Sequence, residues 1–163
     1  MVLSESENTV PDSIAWKLAY ELFEAGEIKQ SHNAIKGIEI VNNEQLRTAL
    51  RLNSEENMDN MINSSLDNLD DDGLLMVAKN LSCKNETRIE AAKRVLQSDT
   101  IRYMSDSLDI FTELADIENL SRILIENKSL AKVYPERVLL VWHMIYAKNT
   151  KNIITELSHL REN

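Results

Sequence analysis

The sequence predicts an all-α protein, a single domain of about eight to ten helices. Two observations carry this prediction. Three glycines (Gly26, Gly37, Gly73) and two prolines (Pro11, Pro135) are the only strong helix breakers in 163 residues. Apolar residues recur at spacings of three and four, the period of a helix buried along one side. A chain of this length suits one domain with a sizeable core. Its one cysteine, Cys83, cannot form an internal disulfide, so packing must hold the fold. A lone thiol also points to a reducing compartment, the cytosol or nucleus.

Residues 1–10 read as a flexible acidic tail, with neither the basic start nor the apolar stretch of a secretory signal. Residues 11–163 then form the domain. The first helix is expected from Pro11 or Asp12 to Ala25, with Gly26 just past its end. Ile14, Leu18 and Leu22 form one apolar row, and Trp16, Tyr20 and Phe23 a second. A helix so apolar should pack on two neighbours, leaving Lys17, Glu21 and Glu24 as its polar stripe. The alternative is that part of the aromatic row is an exposed docking surface.

Short helices follow near 33–41 and 43–52, the second with Leu46, Ala49 and Leu50 inward. Ser54 is then expected to cap a helical segment carrying Met58, Met61, Ile62, Leu66 and Leu69. That segment runs into Asp70, Asp71, Asp72 and Gly73, and a loop near 67–73 should separate two halves of the domain. Further helices are expected near 72–82, 86–97, 100–115, 118–127, 135–148 and 150–161. Within 100–115, Ile101, Met104, Leu108, Phe111 and Ala115 make a lengthwise seam, and Tyr103, Ile110 and Leu114 a second face. The ten-residue apolar run Val138–Ala147 is too short to span a bilayer and reads as a buried helix.

Short connections between two-sided helices suit stacked antiparallel hairpins, which resemble HEAT or armadillo proteins in shape, or an irregular helical bundle. No fixed-period consensus selects between them.

Charge divides the chain. Met1–Gly73 holds 5 basic and 15 acidic residues, a net of −10, whereas Leu74–Asn163 holds 13 and 12, a net of +1. Such a field disfavours nucleic acid and anionic membranes and suits a protein partner, a basic one in particular. Asp70, Asp71 and Asp72 are the residues nominated for partner contact.

Asn68, Asp70, Asp72 and Gly73 resemble positions 1, 3, 5 and 6 of an EF-hand calcium loop. Position 12, which should be a bidentate carboxylate, is Lys79, so no metal is assigned. His32, in Ser-His-Asn-Ala-Ile-Lys-Gly, resembles a phosphoacceptor box, but Lys36 falls four residues on where that box has its basic residue three on. Arg137 and His143 resemble the Arg-x(4–6)-His element of HEPN-type helical ribonucleases. Six residues place them about 120° apart around a helix, so they would converge only across a dimer. No glycine-rich phosphate loop or nucleophile elbow is present, and no catalytic residue or cofactor is assigned. The function expected is a non-catalytic intracellular adaptor or regulator, binding a protein through a helical groove or its acidic surface. A ribonuclease using Arg137 and His143 is the alternative.

Overall fold

The computed structural model describes residues 10–98, 101–114, 116–126, 132 and 135–161. The expected tail lies outside them, Val10 apart. Among the described residues there are nine α-helices and no strand. These are α1 (Asp12–Glu24), α2 (Ile28–Ala34), α3 (Asn43–Asn53), α4 (Asp59–Ser64), α5 (Asp71–Lys79), α6 (Asn85–Val95), α7 (Ile101–Glu113), α8 (Ile117–Glu126) and α9 (Pro135–Arg161), with a 3-10 turn at Leu66–Asn68. The all-α prediction and its helix number are therefore met. The chain divides into two compact units, Met1–Ala91 and Ala92–Asn163.

In the first unit, local chemistry sets the helix ends. Gly26 adopts φ +81°, and the chain closes α1 with Gly26 N–H donating to Phe23 O at 2.9 Å and Glu27 N–H to Leu22 O at 2.8 Å. That paired closure needs a left-handed residue after the helix, which glycine supplies without strain. It reverses the chain at once, so α2 begins at Ile28 rather than near 33. Gly37, at φ +79°, then excludes the helix expected through residue 41.

Asn42 caps α3 by accepting from Gln45 N–H at 2.9 Å, while Gln45 Oε1 reaches back to accept from Val41 N–H at 3.0 Å. This exchange satisfies one donor at the helix start and one just before it. Ser54 ends α3 instead of starting the next helix, its hydroxyl donating to Arg51 O at 2.8 Å. Asn53 pins the following turn, accepting from Met58 N–H at 2.7 Å and donating to Ser82 O at 2.9 Å. The segment expected to be one helix is thus a turn, α4 and the 3-10 turn. Met58, Ile62 and Leu66 are nonetheless all buried, as their spacing of four predicts.

Helix α3 is the hub of this unit, packing against α1, α4 and α5. Its inward residues Leu46, Ala49, Leu50 and Leu52 are buried. With α1 also packed on α2, these contacts run from each helix pair to the next and fit stacked hairpins as well as an irregular bundle. Two charged side chains are also buried here. Asp59 accepts from Lys84 N–H at 3.1 and 3.3 Å, and Arg88 Nε donates to Ala78 O at 2.8 Å.

Cys83 lies in the same region and is buried. Burial pushes its thiol up to about 11, and the Asp59 carboxylate pushes it the same way. The native thiol is expected to resist iodoacetamide at pH 7.5 while the urea-unfolded chain reacts; mass spectrometry reads the difference. Because the folded value lies above the ordinary 9.0, this group's contribution to stability is complete below about 9. It is lost as pH rises toward about 11.

In the second unit, α8 packs against both α7 and α9. Leu108, Ile110, Phe111, Leu120, Ile123 and Val138 are buried, so α7 uses both faces that its spacing predicts. Asp116 caps α8 by accepting from Asn119 N–H at 3.1 Å. The two helices expected over 135–148 and 150–161 are one, because Asn149 and Thr150 are weak helix formers but not breakers. Nor is the apolar run buried throughout: Val138 is, while Leu139, Trp142 and Tyr146 are exposed in a row spaced three and four apart. No helix among the described residues is long and apolar enough to cross a membrane.

Candidate functional site

An open groove of about 710 Å³ runs between α1 and α3 in the first unit. Ser13, Trp16, Lys17, Tyr20 and Glu21 form one wall, and Glu44, Arg47, Thr48 and Arg51 the other, with Asn42 and Gln45 at the start of α3. Each wall steps by three and four, which is how one face of a helix meets one groove.

Trp16 and Thr48 are the buried members of this lining and make its floor. The indole Nε1–H of Trp16 donates to Glu39 O at 3.3 Å, which fixes the ring edge-on to the chain after α2. Tyr20 stays 44 % exposed. Arg51 is held in place by Glu24 Oε1 at 2.7 Å, with its guanidinium 4.7 Å over the Phe23 ring. Lys17 and Arg47 are exposed, and neither makes an ion pair with another described residue.

The groove exists because α1 buries a different face from the one its hydropathy suggests. Ala15, Trp16 and Ala19 are buried, whereas Ile14 and Leu18 are 53 % and 50 % exposed. Helix α1 does pack on two neighbours, α2 and α3, as expected, but not through the Ile14 and Leu18 row. Small residues let α2 approach closely, and Ser31 donates from within α2 to Ala19 O at 2.6 Å. That docking rotates the Ile14 and Leu18 row outward and brings Lys17 and Glu21, the expected polar stripe, to the lip of the groove. Part of the aromatic row is exposed, as the alternative reading held, with Tyr20 on the groove wall.

Asp70, Asp71 and Asp72 lie at the start of α5 and not in a loop. Asp70 is the N-cap, accepting from Gly73 N–H at 2.8 Å. Asp70 also accepts from Asn43 Nδ2 at 3.0 Å, tying α5 to α3. The Gly73 N–H first, and then Asn43, hold its carboxyl below the ordinary 3.8. Asp70→Ala is expected to cost about 1 kcal/mol, as loss of a helix N-cap does. Thermal unfolding read by circular dichroism between pH 2 and 7 measures it. The wild-type advantage is present above the ordinary value and lost as pH falls through the lowered one. A test of partner contact here belongs on Asp71 and Asp72, since reversing Asp70 would also damage the helix.

With Asp71–Lys79 helical, the calcium-loop spacing does not fall on a loop. No group of three or more His, Cys, Asp or Glu among the described residues is arranged to hold a metal ion. His32 sits in the last turn of α2, with Nδ1 4.0 Å from Glu56 Oε2. His143 is exposed on α9. The side chains of Arg137 and His159 lie outside the described residues.

The groove residues carry no motif, and that is why the sequence did not single them out. The available signal was the mixture of aromatic and charged residues at one helical spacing, repeated on α1 and α3. No family model, curated protein or solved structure gives a significant match to this chain.

Proposed function

We propose that this chain is a protein-interaction module whose α1/α3 groove receives a short segment of a partner protein. The observation that carries the reading is the groove itself: two helical walls, an aromatic floor and both signs of charge within about 710 Å³. That volume falls in the range of about 300–1,000 Å³ of clefts that bind ligands. A helical groove with an aromatic anchor point is also a common way to hold a peptide. Lys17, Tyr20 and Arg47 offer donors that no neighbour among the described residues takes up, so an occupant can be oriented as well as buried.

Selection of a random dodecapeptide phage library on the full chain tests this. Sequences should be enriched on the wild type and not on Ser13→Trp, which places an indole at one end of the groove. Equal recovery on both would remove the groove from the account.

A further inference from the structure

We infer that the exposed row of α9 pairs with the same row of a second copy of this chain, the two helices running antiparallel. Pro135, Leu139, Trp142 and Tyr146 step by four, three and four, so they fall within about 60° of one another around the helix. All four are exposed, Leu139 at 60 %, Trp142 at 57 % and Tyr146 at 73 %. The buried Val138 lies about 100° round from Leu139, so packing within the second unit leaves the row pointing outward. Single exposed apolar residues are ordinary on a protein surface, but four in one row along a helix mark a contact face.

The composition of the row selects a second copy as its occupant. Glu136 and His143, both exposed, stand on one flank of it, a carboxylate near its start and an imidazole near its end. An antiparallel pair that crosses between residues 140 and 141 sets Leu139 on the partner's Trp142 and Pro135 on the partner's Tyr146, and the two-fold axis makes each contact twice. It also brings Glu136 to within about 3 Å, along the axis, of the partner's His143, whose ring N–H the carboxylate can accept. Crossing half a heptad further on would instead set Leu139 on the partner's Asn149 and the two His143 rings together, a poorer match on both counts. Antiparallel pairing also opposes the two helix dipoles.

The area sets how tight such a pair can be. Leu139, Trp142 and Tyr146 offer on the order of 100–150 Å² each at their exposures. With Pro135, Glu136 and His143 added, two copies cover about 1,000 Å² in total, the least that a specific interface needs. The dimer is therefore weak, with an expected Kd of about 10–100 µM. None of the six residues lies in the α1/α3 groove, so this pairing and the peptide site stand or fall separately.

Sedimentation velocity of the full chain, from about 5 to about 300 µM, spans that range and reads the association directly. The wild type should pass from monomer to dimer. Trp142→Glu and, independently, Leu139→Lys should each weaken the dimer about tenfold or more, with helicity checked by circular dichroism because both positions are exposed. Ile14→Ser/Leu18→Ser, which alters the exposed row of the first unit, should leave it unchanged. Glu136→Lys should weaken it several-fold, and Glu136→Lys/His143→Glu should restore it, since the exchanged charges meet again only across an antiparallel pair. A wild type that stays monomeric throughout would overturn the proposal and leave the row to a different partner. A dimer lost on Ile14→Ser/Leu18→Ser but kept on Trp142→Glu and Leu139→Lys would overturn it as well. A dimer lost on Trp142→Glu that is weakened equally by Glu136→Lys and by the exchange would overturn the antiparallel register.

Discussion

Trp16→Ala is expected to lower the stability of the first unit by about 3–5 kcal/mol, the usual cost of deleting a large buried aromatic side chain. The side chain is only 4 % exposed, and it serves two neighbours at once. Its ring fills space between α1 and α3, and its Nε1–H satisfies the Glu39 carbonyl. Truncation removes the packing, leaves that carbonyl without its donor and takes away the groove floor. A domain is stable by only about 5–15 kcal/mol, so the loss should be visible well before full unfolding. Urea titration of the full chain, followed through NMR amide signals of α1 to α5, measures it. Trp16→Phe separates the contributions, since it keeps most of the ring and loses only the hydrogen bond, at a net cost of about 1 kcal/mol. A loss below 1 kcal/mol for the alanine variant would mean that the indole does not support the core.

Asp59→Ala is expected to cost about 2–3 kcal/mol, because it leaves a part-buried amide without its acceptor and removes a charged hydrogen bond. Asp59 is 5 % exposed at the first position of α4, and both its oxygens accept from Lys84 N–H, at 3.1 and 3.3 Å. Lys84 immediately precedes α6, so a carboxylate 25 residues away in sequence acts at the positive end of that helix. The same carboxylate raises the Cys83 thiol, which provides a second readout. In Asp59→Asn one acceptor oxygen remains, so stability should fall less, while the pH at which Cys83 becomes alkylated should move down. Unchanged alkylation in both variants would show that Asp59 does not act on the thiol.

What the sequence alone determined about this protein is what depends on short-range geometry. Helices need only a run of residues without breakers and an apolar face, and both are visible in windows of about four residues. Hence α1, α3, α5 and α6 fall within a few residues of where periodicity places them. The same reasoning finds Met58, Ile62 and Leu66 in the core, and Leu108 with Phe111. The start of α4 was less legible because it turns on side chains that bond out of register, Asn53 to Met58 and Ser54 to Arg51, and the bounds of α2 because they are set by the backbone turns at Gly26 and Gly37.

Only the tertiary structure decided which of several apolar faces is used. Helix α1 has two, and the sequence cannot say that Ala15, Trp16 and Ala19 go inward while Ile14 and Leu18 stay in solvent. That choice depends on α2 and α3, through Ser31 to Ala19 and Trp16 to Glu39, contacts spanning 12 and 23 residues. Asp59 was equally hidden among the acidic residues of the first half until its partner at Lys84 was in place. The groove follows from the same cause: its two walls are ordinary helical faces, and it forms where the chain brings Lys17 and Tyr20 opposite Arg47 and Thr48. Local periodicity records a helix's faces, but what each face meets is set by the closure of the loops between helices, which no short window contains.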